Sequence, residues 1–319
     1  MRWLPGATFA LLAAGAAAAA CEGTSGLASE GPPPKEITAR EGGRDDGAGE
    51  RPDDGGPELV EERCDPGKAF SPPELEPALE PTADTIRSAV MSPGELELHY
   101  LKYTSAASTG ERWALRRVTR PSREAAWSAP ATVDVGEAVA GLSLAAGGLK
   151  AYWWTLESNF VASRPDLDAT FSGAKTFWLA KKSQLFVVAS NDAAYYAEYV
   201  SDGSVVDRVI MRASMNSGAS GLLAGGPVPD LHVNGTSDSQ PVLNRDETAL
   251  YFSSNRPGGK GLADIWVARR SSKLEAFGAP VHLPELSTES VDGVSWVSDD
   301  DCEILIERAA HIYVARRPR

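Results

Sequence analysis

A repeated pattern of short strands constrains the fold of this chain more than any other sequence feature. Its best copy is SDSQPVLNRDETALYFSSNRPGGKGLADIWVARR (237–270), and a second copy is ESVDGVSWVSDDDCEILIERAAHIYVARR (289–317). Each copy contains a strand, a polar turn, a second apolar strand and a third strand that ends in arginine. Because self-similarity of this kind indicates a repeat architecture, it takes precedence over local helix and strand patterns.

Three further segments align with these two copies. The residues that align near the end of the first strand are Met91, Leu144, Leu179, Leu243 and Val297. Their spacings are 53, 35, 64 and 54 residues. Third strands ending in basic residues also recur, as RWALRR (112–117), NFVASR (159–164) and DRVIMR (207–212). A fourth strand follows an aromatic residue, as in AWSAPATV (126–133) and AFGAPVHL (276–283). Four short strands per unit are typical of a β-propeller blade.

The pattern predicts an all-β protein, a β-propeller of five blades, each a four-stranded antiparallel sheet. The last copy stops at Arg319 after its third strand, whereas AFSPPELEPAL (69–79) resembles AFGAPVHLPEL (276–286). The N-terminal strand 69–79 is therefore expected to complete the last blade and close the ring by main-chain hydrogen bonds. Six blades remain an alternative, because the 64-residue interval contains a glycine-rich stretch that could hold a degenerate blade.

The first 20 residues predict export. MRWLPGATFALLAAGAAAAA (1–20) places one arginine before an apolar run that ends in small residues, which is the layout of a signal peptide. The segment AAAC (18–21) resembles the lipobox of bacterial lipoproteins, with Ala18 where leucine is typical, and predicts lipidation of Cys21. An ordinary export signal and a retained anchor are the alternatives. Glu22 after the cysteine favours the outer membrane, with the protein periplasmic or surface-facing.

The composition divides the rest of the chain into two parts. Residues 21–63 are rich in Gly, Pro, Glu, Asp and Arg and almost lack apolar residues, which predicts a disordered acidic linker. Residues 64–319 are the expected propeller domain. The chain carries 44 acidic and 31 basic residues, a net charge of −13, which argues against nucleic acid as a partner. The lipid anchor is the expected membrane contact, and a monomer is expected.

Two cysteines remain after Cys21. Both fall in the last blade, which is expected to combine the C-terminal strands with the N-terminal closing strand. Cys64 precedes the closing strand, and Cys302 lies on the second strand of the last copy. An exported protein can form disulfides, so a Cys64–Cys302 bond is predicted to lock the closure. Two buried thiols are the alternative. The sequence has no CxxC, and its four histidines are scattered, so neither a metal site nor a cofactor is expected.

The strong copy resembles a known kind of blade. PVLNRDETALYFSSNRPGGKGLADIWVARR (241–270) is similar to the WD-repeat-like blade of the TolB type, with a polar turn, an aromatic strand, an Asn-Arg segment and Asp-Ile-Trp. The segments VMSPGELELHYL (90–101) and CDPGKAFSPPELEPAL (64–79) look like the opening of envelope lipoproteins with such blades. The resemblance covers residues 64–319 and implies the propeller fold. It implies no one function, because propellers host binding proteins, enzymes and scaffolds alike.

The motif residues of the strong copy are interpreted as structural. They are Asp246, Asn255, Arg256, Gly258, Gly259, Asp264 and Trp266. Arg256 and Asp264 are expected to brace the hairpin loop across its glycines, and Asp246 to cap the preceding turn. An anion cradle is the alternative for this loop.

Five aromatic residues are candidates for a ligand-facing surface: Trp153, Trp154, Tyr195, Tyr196 and Tyr199. One tryptophan is expected to face outward from its strand, and the tyrosines are expected in a loop, where aromatic faces often meet glycans or proteins. Packing between blades is the favoured alternative. Asp166, Asp168 and residues 299–301 suggest calcium or a glycosidase pair, although solvated turns are the favoured interpretation.

These observations favour a noncatalytic binding or scaffold module for an envelope protein or polymer. The alternative is a glycan-active hydrolase or lyase that uses channel carboxylates, and a purely structural envelope component is a third possibility. The sequence has no GxSxG nucleophile elbow, which argues against a hydrolase of that type. It also has no glycine-rich phosphate loop, which argues against an enzyme that binds nucleotide phosphates in this way. A pair of carboxylates converging in the channel would favour the enzyme, and an open apolar or aromatic face would favour the binding module.

Overall fold

A computed structural model describes residues 64–76, 79, 85–106, 110–135, 139–145, 147–155, 158–177, 184–188, 193–201, 206–214, 221 and 225–319. The predicted signal peptide, the linker and Cys21 lie outside these residues. The described residues form five four-stranded antiparallel sheets. The protein is a five-bladed β-propeller. The prediction of five blades closed by an N-terminal strand is confirmed, and the six-bladed alternative is wrong.

Each blade has its first strand at the centre and its fourth at the rim. Blade 1 contains β2 (Ile86–Met91), β3 (Glu97–Ala106), β4 (Gly110–Thr119) and β5 (Ala131–Thr132). Blade 2 contains β6 (Gly141–Ala145), β7 (Lys150–Trp154), β8 (Asn159–Ser163) and β9 (Ser172–Phe177). Blade 3 contains β10 (Gln184–Val188), β11 (Ala193–Ser201), β12 (Val206–Ser214) and β13 (Gly226–Pro227). Its first strand begins five residues after Leu179, so the alignment that placed Leu179 near the end of the strand is wrong. Blade 4 contains β14 (Asp238–Leu243), β15 (Ala249–Ser254), β16 (Asp264–Arg269) and β17 (Val281–His282). Blade 5 contains β18 (Asp292–Val297), β19 (Glu303–Arg308), β20 (His311–Arg316) and β1 (Glu74–Leu75).

The core lies between the blades. Five apolar clusters each fill the space between two neighbouring blades, including the space between blades 5 and 1. Successive side chains of a strand point to opposite faces of its sheet, and here both faces meet another blade. This explains why a strand such as β15, ALYFSS, is buried along its whole length. The first strands pack against one another around the ring and line a central channel.

The N-terminal segment closes the ring as predicted, but through fewer residues. Glu74 and Leu75 pair with Val314 and Tyr313 of β20. The N–H of Ser71 donates to the carbonyl oxygen of Arg316 at 2.7 Å, which extends the contact toward Cys64. Cys64 is joined to Cys302 by a disulfide, with Cα atoms 5.7 Å apart.

Four arginines explain why the third strands end in basic residues. They are Arg120, Arg164, Arg270 and Arg317, each directly after its strand. Their Nε atoms donate, at 2.6–2.8 Å, to the main-chain oxygens of Glu95, Gly148, Glu247 and Asp301. These four acceptors end the turn between first and second strands with φ of 58° to 81°. In blade 1 the arginine lies three residues beyond the predicted RWALRR, and the equivalent turn of blade 3 lies outside the described residues.

The same four guanidinium groups stack on the aromatic residue that precedes the fourth strand. The rings belong to Trp127, Phe171, Phe277 and Phe70, at 4.3, 4.5, 4.2 and 3.8 Å from the guanidinium carbon to the ring centre. Phe70 precedes β1 and takes in blade 5 the place that Phe277 takes in blade 4. The N-terminal segment therefore supplies to the last blade both a strand and the aromatic partner of its arginine.

Candidate functional site

The central channel contains a cavity of about 630 Å³. We call it the upper cavity; it lies at the end of the channel where the turns between first and second strands are found. Its wall is apolar, and the side chains used below are Met91, Leu142, Leu144, Trp154, Val242 and Trp296. Trp296 is only partly buried, so part of its indole ring is accessible in the cavity. The wall therefore combines aliphatic side chains with an aromatic surface.

Charged residues of the turns form the rim of the upper cavity. They are Glu95, Arg123, Arg245, Asp299 and Asp300. The side chain of Arg245 is 74% exposed, and its Nη1 lies 3.5 Å from Oδ2 of Asp299 on the neighbouring blade. Burial raises the pKa of Asp299, and Asp300 and Glu95 act in the same direction against the lowering effect of Arg245. The rim thus presents both signs of charge, with the acidic groups concentrated at blade 5.

Three polar residues lie where the upper cavity meets a second cavity of about 350 Å³, the lower cavity. These are Ser88, Gln240 and Glu307, which line both cavities and which we call the collar. The carboxyl of Glu307 accepts a hydrogen bond from the main-chain N–H of Ser88 and one from Nε2 of Gln240 at 3.1 Å. Burial raises the pKa of Glu307, while these hydrogen bonds and the charge of Arg87 act to lower it.

Irregular first strands bring the collar together. Ser88 and Gln240 have φ of 51° and 50°, which non-glycine residues seldom adopt, and each lies at an irregularity in the register of its strand. Gly293 pairs with Glu307 across blade 5, and a Cβ at this glycine would lie 2.2 Å from Oε1 of Gln240. Glycine at 293 therefore leaves room for the Gln240 amide to reach Glu307 from the neighbouring blade.

The sequence interpretation missed the collar. A signal was present, because the acidic residue Glu307 interrupts the apolar run of EILIER (303–308). The glycine opposite it and the two strand irregularities become visible only once the pairing register is known.

The lower cavity opens at the opposite end of the channel and is more polar. Its lining includes two arginines, Arg87 and Arg208, together with Ser237, Ser239, Ser253 and Asn255. The guanidinium of Arg87 stacks on Trp113 at 3.7 Å, and that of Arg208 on the ring of Tyr199 at 4.5 Å. Both arginines are therefore held by aromatic rings beside the channel.

The blade-motif residues lie in structural positions, but the expected pair does not form. Arg256 donates from Nη2 to Oδ1 of Asp238 at 2.9 Å and to the carbonyl oxygen of Leu231 at 3.0 Å, instead of pairing with Asp264. Asp264 accepts hydrogen bonds from the N–H groups of Lys260 and Gly261 at 2.9 and 3.0 Å. Asp264 thus caps its own loop, and Arg256 braces the start of the blade.

Other motif residues follow the same structural pattern. Asn255 accepts a hydrogen bond from the N–H of Ser237 at 2.7 Å, and Trp266 is buried. Gly258 has φ of 97°, and a Cβ at Gly259 would collide with the Asp264 carboxylate at 2.1 Å. Asp246 is exposed, and the turn is capped by Asn244, whose Oδ1 accepts from the N–H of Ala249 at 2.9 Å. Asn244 therefore has the capping role that was expected of Asp246.

Four of the five candidate aromatics are packed inside the protein. Trp153, Trp154, Tyr195 and Tyr196 are each at most 7% exposed. The three tyrosines lie in strand β11 rather than in a loop, and the hydroxyl of Tyr195 accepts from Arg212 at 3.2 Å. Tyr199 is 64% exposed. The structure therefore corrects the expectation of an outward tryptophan and a tyrosine loop, although Trp154 contributes to the wall of the upper cavity.

The acidic groups form turns and braces. Oδ1 of Asp166 accepts from the N–H groups of Asp168 and Ala169 at 3.1 and 2.8 Å, and both aspartates are exposed. Asp301 is buried and pairs with Arg269 at 2.8 Å, whereas Asp299 and Asp300 lie on the cavity rim. Within the described ranges, no group of three or more His, Cys, Asp or Glu residues is arranged to hold a metal ion. No helix in the same ranges is long and apolar enough to cross a membrane.

Comparisons with known proteins assign the chain to no family. No protein-family model matches the chain, and no curated protein sequence matches it. Among solved structures, the chain is similar to the Dos1 propeller, with 9% identity and a TM-score of 0.37 over 74% of this chain and 55% of that one. It is also similar to the catalytic domain of a GH62 α-L-arabinofuranosidase from Coprinopsis cinerea (9% identity, TM-score 0.45, 79% and 97% coverage). The WD40 repeats of RRP9 match with 10% identity and a TM-score of 0.39, over 79% and 99% of the two chains. Because these likenesses are remote, the activities of these proteins are not transferred to this one.

Proposed function

We propose that this chain is an exported lipoprotein whose TolB-like propeller is a noncatalytic binding module for a protein or polymer of the cell envelope. The observation that carries the proposal is the upper cavity, which is concave, mostly apolar in its wall and charged at its rim. A cavity of about 630 Å³ falls within the range typical of ligand sites. We further propose that the protein is a monomer held at the outer membrane, periplasmic or surface-facing, by a lipid on Cys21.

The arrangement of carboxyl groups supports binding over catalysis. Glu307, the carboxyl at the collar, has a main-chain N–H, an amide and the guanidinium of Arg87 as its partners. These groups position a carboxyl and hold it in place. Hydrolysis of a glycoside requires two carboxyl groups on opposite sides of the scissile bond, about 5 to 9.5 Å apart. The collar has one carboxyl group, so its three residues do not supply such a pair.

A photoreactive amino acid placed at residue 245 is expected to crosslink to the partner, because Arg245 is exposed at the rim of the upper cavity. The same amino acid placed at Glu289, which is exposed on the segment that leads into β18 at the opposite end of the channel, serves as the control. Crosslinking in living cells followed by mass spectrometry measures the difference. Identical crosslinks from both positions, or none from residue 245, would contradict the proposed binding face.

The rim offers one observation that favours the enzyme alternative. Asp299 has a raised pKa and interacts with Asp300 and Glu95, so this edge of the cavity holds several carboxyl groups. A glycan-active hydrolase or lyase would release reducing ends from envelope polysaccharides, and replacing Asp299 with asparagine would abolish the release. Under the proposed noncatalytic function, wild-type protein and the Asp299→Asn variant release equal, background amounts of reducing sugar.

Replacement of Cys21 with serine is expected to move the protein from the membrane fraction to the soluble fraction of the envelope. Stable anchoring requires a lipid, because a chain with a net charge of −13 is repelled by anionic headgroups. Fractionation of cells and metabolic labelling with a fatty acid measure the change. The Cys64→Ala variant, which keeps Cys21, should stay in the membrane fraction, and labelling of Cys21→Ser would contradict the proposed anchor.

A further inference from the structure

We propose that the collar is a subsite for a neutral sugar ring, which enters the channel from the upper cavity. The inference deepens the proposed binding function and rests on it, since the ligand passes the same rim. It narrows the ligand from any envelope protein or polymer to a carbohydrate with uncharged rings.

The hydrogen-bonding groups of the collar suit a ligand that carries several hydroxyls. Glu307 supplies acceptor oxygens, the Gln240 amide supplies donors and an acceptor, and Ser88 has a hydroxyl group. Beside them, the hydroxyl of Ser295 is buried at an irregularity of β18 and has no hydrogen-bond partner among the described residues. A sugar ring presents hydroxyls that both donate and accept, so one ring can satisfy groups from blades 1, 4 and 5 together.

The charges around the collar favour an uncharged ligand. Its one carboxyl, Glu307, would repel an anion, and the neighbouring guanidinium of Arg87 would repel a cation. A basic peptide would be attracted by Glu307 but repelled by Arg87, and an acidic polysaccharide would be attracted by Arg87 but repelled by Glu307. Neither would therefore gain net electrostatic binding energy at the collar.

An apolar surface lies next to these polar groups. Trp296 follows Ser295 on β18 and is a partly buried residue of the upper cavity lining. It packs against the apolar clusters that contain Met91 and Leu142 on other blades. A sugar ring has apolar C–H faces and polar edges, so it can contact an indole ring with one face while its edge hydroxyls reach the collar. The amphipathic nature of the cavity matches this combination.

The backbone of the collar is also unusual for a purely structural element. Ser88 and Gln240 adopt left-handed φ values without being glycine, which costs energy at both positions. Such strain persists where the surrounding structure holds it and is concentrated at ligand sites. Here it directs one main-chain N–H and one side-chain amide to the same carboxyl group in the channel.

Isothermal titration calorimetry on the full chain tests the subsite. A polyoxyethylene detergent keeps the chain in solution without adding a sugar headgroup. The probes are the N-acetylglucosamine trimer and the glucose trimer, with the galacturonic acid trimer and trilysine as charged counterparts. At least one neutral trisaccharide is expected to bind more tightly than either charged probe. Gln240→Ala and Glu307→Ala should each weaken its binding by about tenfold, the effect of losing hydrogen bonds in a buried site.

Two further variants separate a ligand role from a folding role. Glu307→Gln should retain most of the affinity, because the Gln240 amide can turn to pair with the new amide and the hydroxyl-binding atoms remain. Lys273→Ala, whose side chain lines neither cavity, should bind like the wild type, and thermal melting reports whether each variant is folded. A folded Gln240→Ala variant with unchanged affinity would overturn the subsite.

The outcomes also separate this inference from the proposed function. If none of the trisaccharides binds while crosslinks from residue 245 persist, the collar subsite is wrong and the binding face stands. If trilysine or the acidic trimer binds more tightly than the neutral sugars, the inference of an uncharged ligand is wrong. If neither sugars nor crosslinks are found, both proposals fail.

Discussion

Replacement of Cys302 with alanine is expected to lower the free energy of unfolding by about 4 to 5 kcal/mol, the upper end of the range for loss of a disulfide that closes a long loop. The Cys64–Cys302 disulfide closes a loop across a sequence separation of 238 residues, almost the entire propeller. Without it, the N-terminal segment is held to β20 by a short ladder at Glu74 and Leu75 and a few further hydrogen bonds. Denaturant unfolding of the oxidised protein, followed by tryptophan fluorescence, measures the loss.

Reduction of the disulfide provides the matched control. Wild-type protein in excess dithiothreitol should unfold at the same denaturant concentration as Cys302→Ala, and dithiothreitol should not change the variant. Cys64→Ala should behave like Cys302→Ala, because either change removes the same crosslink. Equal midpoints for oxidised wild-type protein and Cys302→Ala would show that the crosslink does not contribute to stability.

Replacement of Arg317 with alanine is expected to destabilise the propeller by roughly 3 to 5 kcal/mol, the range for removing one partner of a buried charged network. Arg317 is buried, and its Nε and Nη2 donate to the carbonyl oxygen of Asp301 at 2.8 Å and to the hydroxyl of Tyr251 at 3.0 Å. It also donates to the carbonyl oxygen of Lys68 and stacks on Phe70. One guanidinium thus connects blade 4, blade 5 and the closing segment. Thermal and denaturant unfolding measure the effect.

Lysine at the same position tests whether the shape of arginine matters. An ammonium group cannot donate along three fixed directions while stacking flat on a ring, so Arg317→Lys should recover less than about half of the loss. Lys273→Ala, which removes an exposed charge, should change stability by less than about 0.5 kcal/mol. Full recovery by lysine would show that charge alone, rather than the planar geometry, holds the closure together.

The repeat made much of the architecture predictable from sequence. Met91, Leu243 and Val297, which align in the sequence, end the first strands of blades 1, 4 and 5 in the structure. The Phe70 segment could be assigned to the last blade because it resembles the segment around Phe277 of a complete blade. These predictions succeeded because every blade meets the same neighbours on both faces, so similar sequence imposes similar packing.

Pairings between side chains were predicted less well. Arg256 and Asp264 are close in sequence and opposite in charge, yet Arg256 pairs with Asp238 from the preceding strand. The tyrosine-rich segment around Tyr195 was expected in a loop, but it forms strand β11, and Tyr195 itself is buried between blades 3 and 4, where Phe277 packs against its ring. Each partner lies on another segment of the fold, and the distance between segments depends on the curvature of the ring and the register of its strands.

The sequence by itself determined the four-stranded blade and the closing segment, because both follow from the repeat. Five blades rather than six, and a disulfide rather than two thiols, were predictions that the tertiary structure decided. Only the tertiary structure decided which side chains meet in the channel. Ser88, Gln240 and Glu307 come from three blades and share no sequence motif, and their contact depends on two strand irregularities and on the missing side chain of Gly293. A ring of blades brings together at its axis residues that are distant in sequence, so the chemistry of the channel follows from closure of the ring rather than from any one repeat.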